Sequence, residues 1–157
     1  MPDYPNPFLN KTNLPLLVVE DSDVDFEVLM RSLKKLSFQP QIYRVEDGDE
    51  ALDFLFHQGQ YTDNKKTPRP ALILLDLNLP GTDGRQVIVQ LKQNRSLKMI
   101  PIIVFTTSSN PHDVEFCYQH GANSYLLKPL ETQAFNNSVN ILLAYWLETA
   151  ILPSSII

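Results

Sequence analysis

The segment LILLDLNLPGTDG, residues 72–84, runs from unbroken apolar sequence straight into a carboxylate. Leu72 to Leu75 read as a buried strand, because a strand covered on both faces is apolar throughout rather than alternating. Asp76 follows at once, and Pro80, Gly81 and Gly84 then turn the chain. A charge in that place is either a strand reaching the surface or a site built at a strand tip. What the rest of the chain places beside Asp76 decides between them.

Outward from this segment, apolar runs alternate with helical patterns. The strands are read as Leu16–Val19, Ile42–Val45, Ala71–Leu75, Ile102–Phe105 and Ser124–Leu127. Phe26, Leu29, Leu33 and Leu36 recur at helical spacing and share one face. Asp47 and Glu50 form a capping-box pattern ahead of Leu52, Leu55 and Phe56. Val87, Ile88 and Leu91 mark a third helix. Asn110-Pro111 opens a fourth, which Gly121 closes. Phe135, Val139, Leu142 and Trp146 mark a fifth. Such alternation predicts a doubly wound α/β fold, a five-stranded parallel sheet with helices on both faces. Residues 1–13 read as an irregular arm, 14–148 as one domain and 149–157 as a tail. HQGQYTDNKKTPRP, ahead of the third strand, reads as an exposed polar loop.

Composition narrows the function. The chain has 157 residues and a net charge of −5, which argues against nucleic-acid binding through a basic face. Cys117 is its one cysteine, so neither an intrachain disulfide nor a thiolate metal cluster is expected. No signal peptide is recognisable, and the apolar stretch Ile141–Leu152 is interrupted by Glu148 and too short to span a bilayer. A cytoplasmic protein with no membrane contact is the expectation. His57, His112 and His120 lie in or near helix ends.

Ligands of open α/β sheets bind beyond the carboxyl ends of the strands. There the first strand presents Glu20-Asp21, the third Asp76 with Asn78 nearby, the fourth Thr106-Thr107 and the fifth Lys128-Pro129. Clustered carboxylates repel one another and call for a cation; oxygen ligands that leave room for water suit Mg²⁺. A carboxylate can also attack phosphorus, and phosphoryl transfer asks chiefly for positioning and charge stabilisation.

The segments LLVVEDSDVD, LILLDLNLPGTDG, PIIVFTTS and SYLLKP, in this order, resemble the receiver domain of two-component response regulators over about residues 14 to 148. The resemblance implies a flavodoxin-like sheet of strand order 2-1-3-4-5. It implies Asp76 as phosphoacceptor and Asp21 as a direct Mg²⁺ ligand, with Glu20 acting mainly through water. Asn78 would lend a backbone carbonyl to the metal. Thr106 would be the switch hydroxyl, Lys128 the partner of a phosphoryl oxygen, and Tyr125 the aromatic switch that rotates inward. It further implies a cis Lys128–Pro129 peptide, a histidine kinase as partner, and no enzymatic activity beyond the chain's own phosphorylation and dephosphorylation. The insertion and the tail YWLETAILP are similar to those of single-domain regulators paired with phytochrome kinases.

Two other strand-end chemistries fit less well. A haloacid-dehalogenase-like phosphatase wants a second Asp where Asn78 stands, and a flavodoxin-like electron carrier wants a Ser/Thr/Gly-rich loop where EDSDVD stands. A receiver that only binds proteins is disfavoured, since no expected site residue is missing. The sequence ends soon after the fifth helix, so output is expected through surfaces. Leu143, Trp146, Leu147 and Ile151 are expected outside the core, in a homodimer formed by the fourth helix, fifth strand and fifth helix. The alternative is a tail folded back over the domain itself.

Overall fold

The structure, a computed structural model, describes residues 14–37 and 39–153. The arm at 1–13 and the last four residues of the tail lie outside the described residues. Five parallel strands, β1 Pro15–Val19, β2 Gln41–Val45, β3 Leu72–Leu75, β4 Ile102–Thr106 and β5 Ser124–Leu127, lie in the order β2-β1-β3-β4-β5. The helices are α1 Asp23–Leu33, α2 Gly48–Phe56, α3 Gly84–Gln93, α4 Pro111–Gln119 and α5 Thr132–Leu143. Among the described residues no helix is long and apolar enough to cross a membrane.

The period of two along a strand divides the core. Leu17, Val19, Ile73, Leu75, Ile102 and Val104 face α2, α3 and α4, burying Ala51, Phe54, Leu55, Val87, Ile88, Leu91 and Cys117. Leu16, Val18, Leu72, Leu74, Ile103 and Phe105 face α1 and α5, burying Leu29, Leu33, Phe135, Val139 and Leu142. β1, β3 and β4 are therefore apolar at nearly every position because each face is roofed by helices. The same alternation, carried one residue past the strands, puts Glu20, Asp76 and Lys128 on the α1/α5 side. It puts Thr106 and Tyr125 on the α4 side.

The helices begin where their caps dictate. Ser22, Asp47, Asp83, Asn110 and Glu131 each accept a backbone N–H of the first turn. The Asp47–Glu50 pair is half a capping box: Asp47 Oδ1 accepts the Glu50 N–H at 2.7 Å, but Glu50 Oε2 accepts from the Glu46 N–H instead.

Three expectations need correction. Leu143 and Leu147 are each 1% exposed and belong to the core against α1. Leu143 is buried in α5 beside Leu142, and Leu147 is carried by a π-helical turn over Ala144–Thr149, closed by the Ala150 N–H to Tyr145 carbonyl bond. A π turn is wider than an α turn, so Leu142 and Leu147, five apart, keep the same face. Trp146 is left half-buried beside the same cluster, and Ile151 is exposed as expected. The insertion is not simply exposed. Tyr61 sets its ring edge-on to Phe54, with centroids 5.1 Å apart, and its hydroxyl donates to Glu50 at 2.5 Å. Thr67 is buried there, and its carbonyl lies 2.8 Å from His57 Nε2. Last, Lys128–Pro129 is trans, and no cis peptide occurs among the described residues. The two isomers of an X–Pro bond differ by only about 0.5–1 kcal/mol, so the residue type alone decides neither.

Candidate phosphoacceptor site

Backbone hydrogen bonds continue the sheet by one residue at three strand ends, and these place the site. The Asp76 N–H donates to the Val19 carbonyl at 3.0 Å, the Glu20 N–H to Val45 at 3.0 Å, and the Lys128 N–H to Thr106 at 2.7 Å. The β1–β3 register sets Val19 opposite Leu75, so Glu20 and Asp76 come next on adjacent strands. Behind Asp76 the chain turns hard into α3. Gly81 takes a left-handed φ of 68°, and a Cβ on Gly84 would stand 2.5 Å from the Asp76 carbonyl oxygen. Only a glycine lets α3 start this close to the strand tip.

Lys128 is the centre of the side-chain network. Its ammonium donates to Glu20 Oε1, to Asp25 Oδ2 at 2.8 Å and to Asp76 Oδ2 at 3.0 Å. Glu20, Asp76 and Lys128 are all buried. The second oxygen of Asp76 accepts the Asn78 N–H at 3.2 Å, and that of Glu20 accepts the Ser22 N–H at 3.2 Å. Burial alone would draw protons off Lys128. The hydrogen bonds to Asp25 and Glu20, and the charges of Glu20 and Asp76, outweigh this and raise its pKa. Burial pushes the Glu20 carboxyl up to about 7, against the pull of Lys128 and with help from the neighbouring Asp76 charge.

One ammonium does not balance these carboxylates. Glu20, Asp21 and Asp76 each offer an oxygen, and the three lie within 4.8 Å of one another. Asp21 is exposed, so this trio is open to solvent on one side. Hard oxygen donors, surplus negative charge and room for water fit a divalent cation. Asn78, whose backbone carbonyl was expected to join them, is also exposed at this edge.

Thr106 and Tyr125 belong to a second network on the α4 side. Thr106 is fully buried, and its hydroxyl oxygen accepts the Ser108 N–H at 3.4 Å. The Tyr125 hydroxyl donates to the Ser108 carbonyl at 2.8 Å. The Ser108 hydroxyl donates to Asp113 at 2.5 Å, and Arg85 meets Asp113 through Nε at 2.8 Å and Nη2 at 2.6 Å. The Arg85 hydrogen bond, followed by that from Ser108, holds the Asp113 carboxyl down at about 2. The loop that carries the hydroxyl is thus braced from α3 and α4.

Every site residue expected at the strand ends is brought to this edge. Asp25, Arg44 and the Arg85–Asp113 brace were not foreseen. Asp25 had a signal: it falls in the first turn of α1, which starts at the same edge. Arg44 and Arg85 had none, because the partners that tie them to the site, Glu20 and Asp113, lie 24 and 28 residues away.

The description "response regulator receiver domain" matches residues 16–140. Response regulator Rcp1 of Synechocystis sp. is 41% identical over 140 residues, covering 89% of this chain and 93% of Rcp1. The crystal structure of Mn²⁺-bound Rcp1 superposes with a TM-score of 0.85, over 89% of this chain and 99% of that one. The phosphorylated cyanobacterial phytochrome response regulator RcpA, 35% identical, also gives 0.85, over 91% of this chain and all (100%) of RcpA. The probable methanogenesis regulatory protein FilR2 of Methanothrix harundinacea is 38% identical over 133 residues, 84% of this chain and 83% of its own. The likeness thus runs from β1 into α5 in sequence, sheet order and outline together, and by it the chain belongs to the response regulator receiver family.

Proposed function

We propose that Asp76 accepts a phosphoryl group from a phosphohistidine of a sensor histidine kinase, and that the kinase is a phytochrome. The observation carrying the first part is the buried Asp76 carboxylate, oriented by Lys128 and the Asn78 N–H at the open edge of the sheet. A carboxylate oxygen attacks phosphorus in line, the P–N bond breaks, and the freed imidazole takes up a proton. Mg²⁺ held by Asp21 and Asp76, with the Asn78 carbonyl and Glu20 through water, would neutralise charge on the phosphoryl oxygens. Lys128 is poised to follow the phosphoryl group, since its ammonium already touches Asp76. A new dianion draws the Thr106 hydroxyl toward it, and that hydroxyl shares Ser108 with Tyr125, so the β4–α4 loop relays the change.

The phytochrome assignment is supported by RcpA, a phytochrome response regulator alike over its whole length. FilR2, 38% identical against 35% for RcpA, bears a methanogenesis name, so the kinase must be tested directly. Label from an autophosphorylated phytochrome kinase is expected to reach this chain at least tenfold faster than from unrelated histidine kinases at equal concentration. Equal rates from all of them would remove the phytochrome assignment and leave the phosphoacceptor one standing.

A homodimer through α4, β5 and α5 is the proposed route of output. These elements and the π turn leave Tyr118, Leu127, Ile141 and Tyr145 about half exposed or more. They replace Leu143 and Leu147 as the apolar groups available to a partner. Sedimentation at micromolar concentration is expected to show dimer in at least one of the two states, phosphorylated or unphosphorylated; monomer in both states would rule the interface out.

A further inference from the structure

We propose that Arg44 is a positioning residue for divalent-cation binding: from the edge strand β2 it sets the peptide that carries Asp21. The proposal rests on the reading that Glu20, Asp21 and Asp76 hold the cation. Arg44 Nε donates to the Glu20 carbonyl at 3.1 Å, and the Glu20 N–H donates to the Val45 carbonyl at 3.0 Å. Both backbone polar groups of Glu20 are therefore held by β2. The carbonyl that Arg44 grips belongs to the peptide joining Glu20 to Asp21, so the guanidinium governs where the exposed Asp21 carboxylate starts from.

Arg44 also sorts the acidic run EDSDVD, which holds Glu20, Asp21, Asp23 and Asp25. Its Nη2 lies 2.7 Å from Asp23 Oδ1 and 3.3 Å from Glu46 Oε1. Nη2 is cut off from solvent and meets these carboxylates as ion pairs rather than in hydrogen-bond alignment. Lys128 takes Glu20 and Asp25. Among the described residues, Asp21 pairs with neither arginine nor lysine and stays available to the cation. The flat guanidinium sits 4.5 Å from the centre of the Phe26 ring, and its side chain is 21% exposed. A lysine in its place would keep the charge and lose the planar fork that reaches a carbonyl and a carboxylate at once.

The sign of the effect separates positioning from plain electrostatics. A positive charge beside the trio repels a cation, so its removal alone would tighten binding. Loss of positioning would weaken it. Mn²⁺ affinity is read from the electron paramagnetic resonance of the free ion, for wild type, Arg44→Met and Arg44→Lys, at a temperature where circular dichroism shows each fully folded. Both variants are expected to bind Mn²⁺ about tenfold more weakly, the scale of one charge-assisted hydrogen bond. Tighter binding by Arg44→Met, or wild-type binding by Arg44→Lys, would overturn the proposal. If Arg44→Met does not fold, Arg44→Lys alone decides. Asp21→Asn serves as the reference: it is expected to bind far more weakly, and wild-type affinity there would refute the cation site itself, and the role of Arg44 with it.

Discussion

The Asp76→Asn protein is expected to fold as well as wild type and to take up phosphoryl label at least about a thousandfold more slowly from any histidine kinase, the scale seen when a nucleophile is removed. The amide is isosteric; its one oxygen can keep the Asn78 N–H bond, 3.2 Å in the wild type, while the bond from Lys128 to the other oxygen, 3.0 Å in the wild type, is lost and Lys128 stays bonded to Glu20 and Asp25. What is lost is the anionic oxygen that attacks phosphorus. Stability should not fall, because a buried negative charge beside Glu20 is removed. That charge is one of the influences holding the Glu20 carboxyl up at about 7, so the substitution should let it drop. Thermal denaturation and transfer of radiolabel, run on the same preparation, check both halves. Loss of label together with loss of the fold would point to a structural carboxylate instead.

Lys128→Met is expected to damage both stability and phosphorylation. The Lys128 side chain is 4% exposed and faces three carboxylates, those of Glu20, Asp25 and Asp76. Removing one partner of a buried charge network leaves the others uncompensated, at about 3–5 kcal/mol. The loss has a direction in pH. The folded-state pKa of Glu20, about 7, lies above its ordinary 4.5, so its contribution to stability is present below about 4.5 and lost as pH rises through 7. Lys128 lowers that pKa, and without it the upper edge moves higher. The deficit of the variant, measured by denaturant unfolding without divalent cations, should therefore be small near pH 5 and widen above pH 7. A deficit independent of pH would mean that packing of the lysine stem, not its charge, matters. Phosphorylation should fall by about a hundredfold or more, the scale of one charge-stabilising donor.

The strands were legible because burial on both faces forces long apolar runs. Leu72 to Leu75 and Ile102 to Phe105 could hardly be anything else, and all five strands lie within a residue of their expected bounds. The strand-end residues were legible for a related reason: a charge placed just after an apolar run is held at one edge of the sheet by that run. Contacts between distant segments left no periodic trace. Arg44 meets Glu20 across two strands, and Arg85 meets Asp113 across two helices. The tail has more apolar residues than one face of an ordinary helix needs, but Leu143 packs in α5 and the π turn over Ala144–Thr149 carries Leu147 inward as well. In the insertion, polar composition hid one tyrosine, whose ring packs on Phe54 while its hydroxyl is satisfied by Glu50.

The central claim is that the carboxylate at the tip of β3 is the atom group that takes the phosphoryl. Borohydride reduction tests it most directly, because it converts an aspartyl phosphate, and not a free aspartate, to homoserine. The protein is phosphorylated with a small-molecule phosphodonor and Mg²⁺, reduced, digested and read by mass spectrometry. The expected result is homoserine at position 76, with Asp21, Asp23 and Asp25 unchanged. Homoserine at any of those three positions, or none at 76 when the protein carries phosphate, would contradict it.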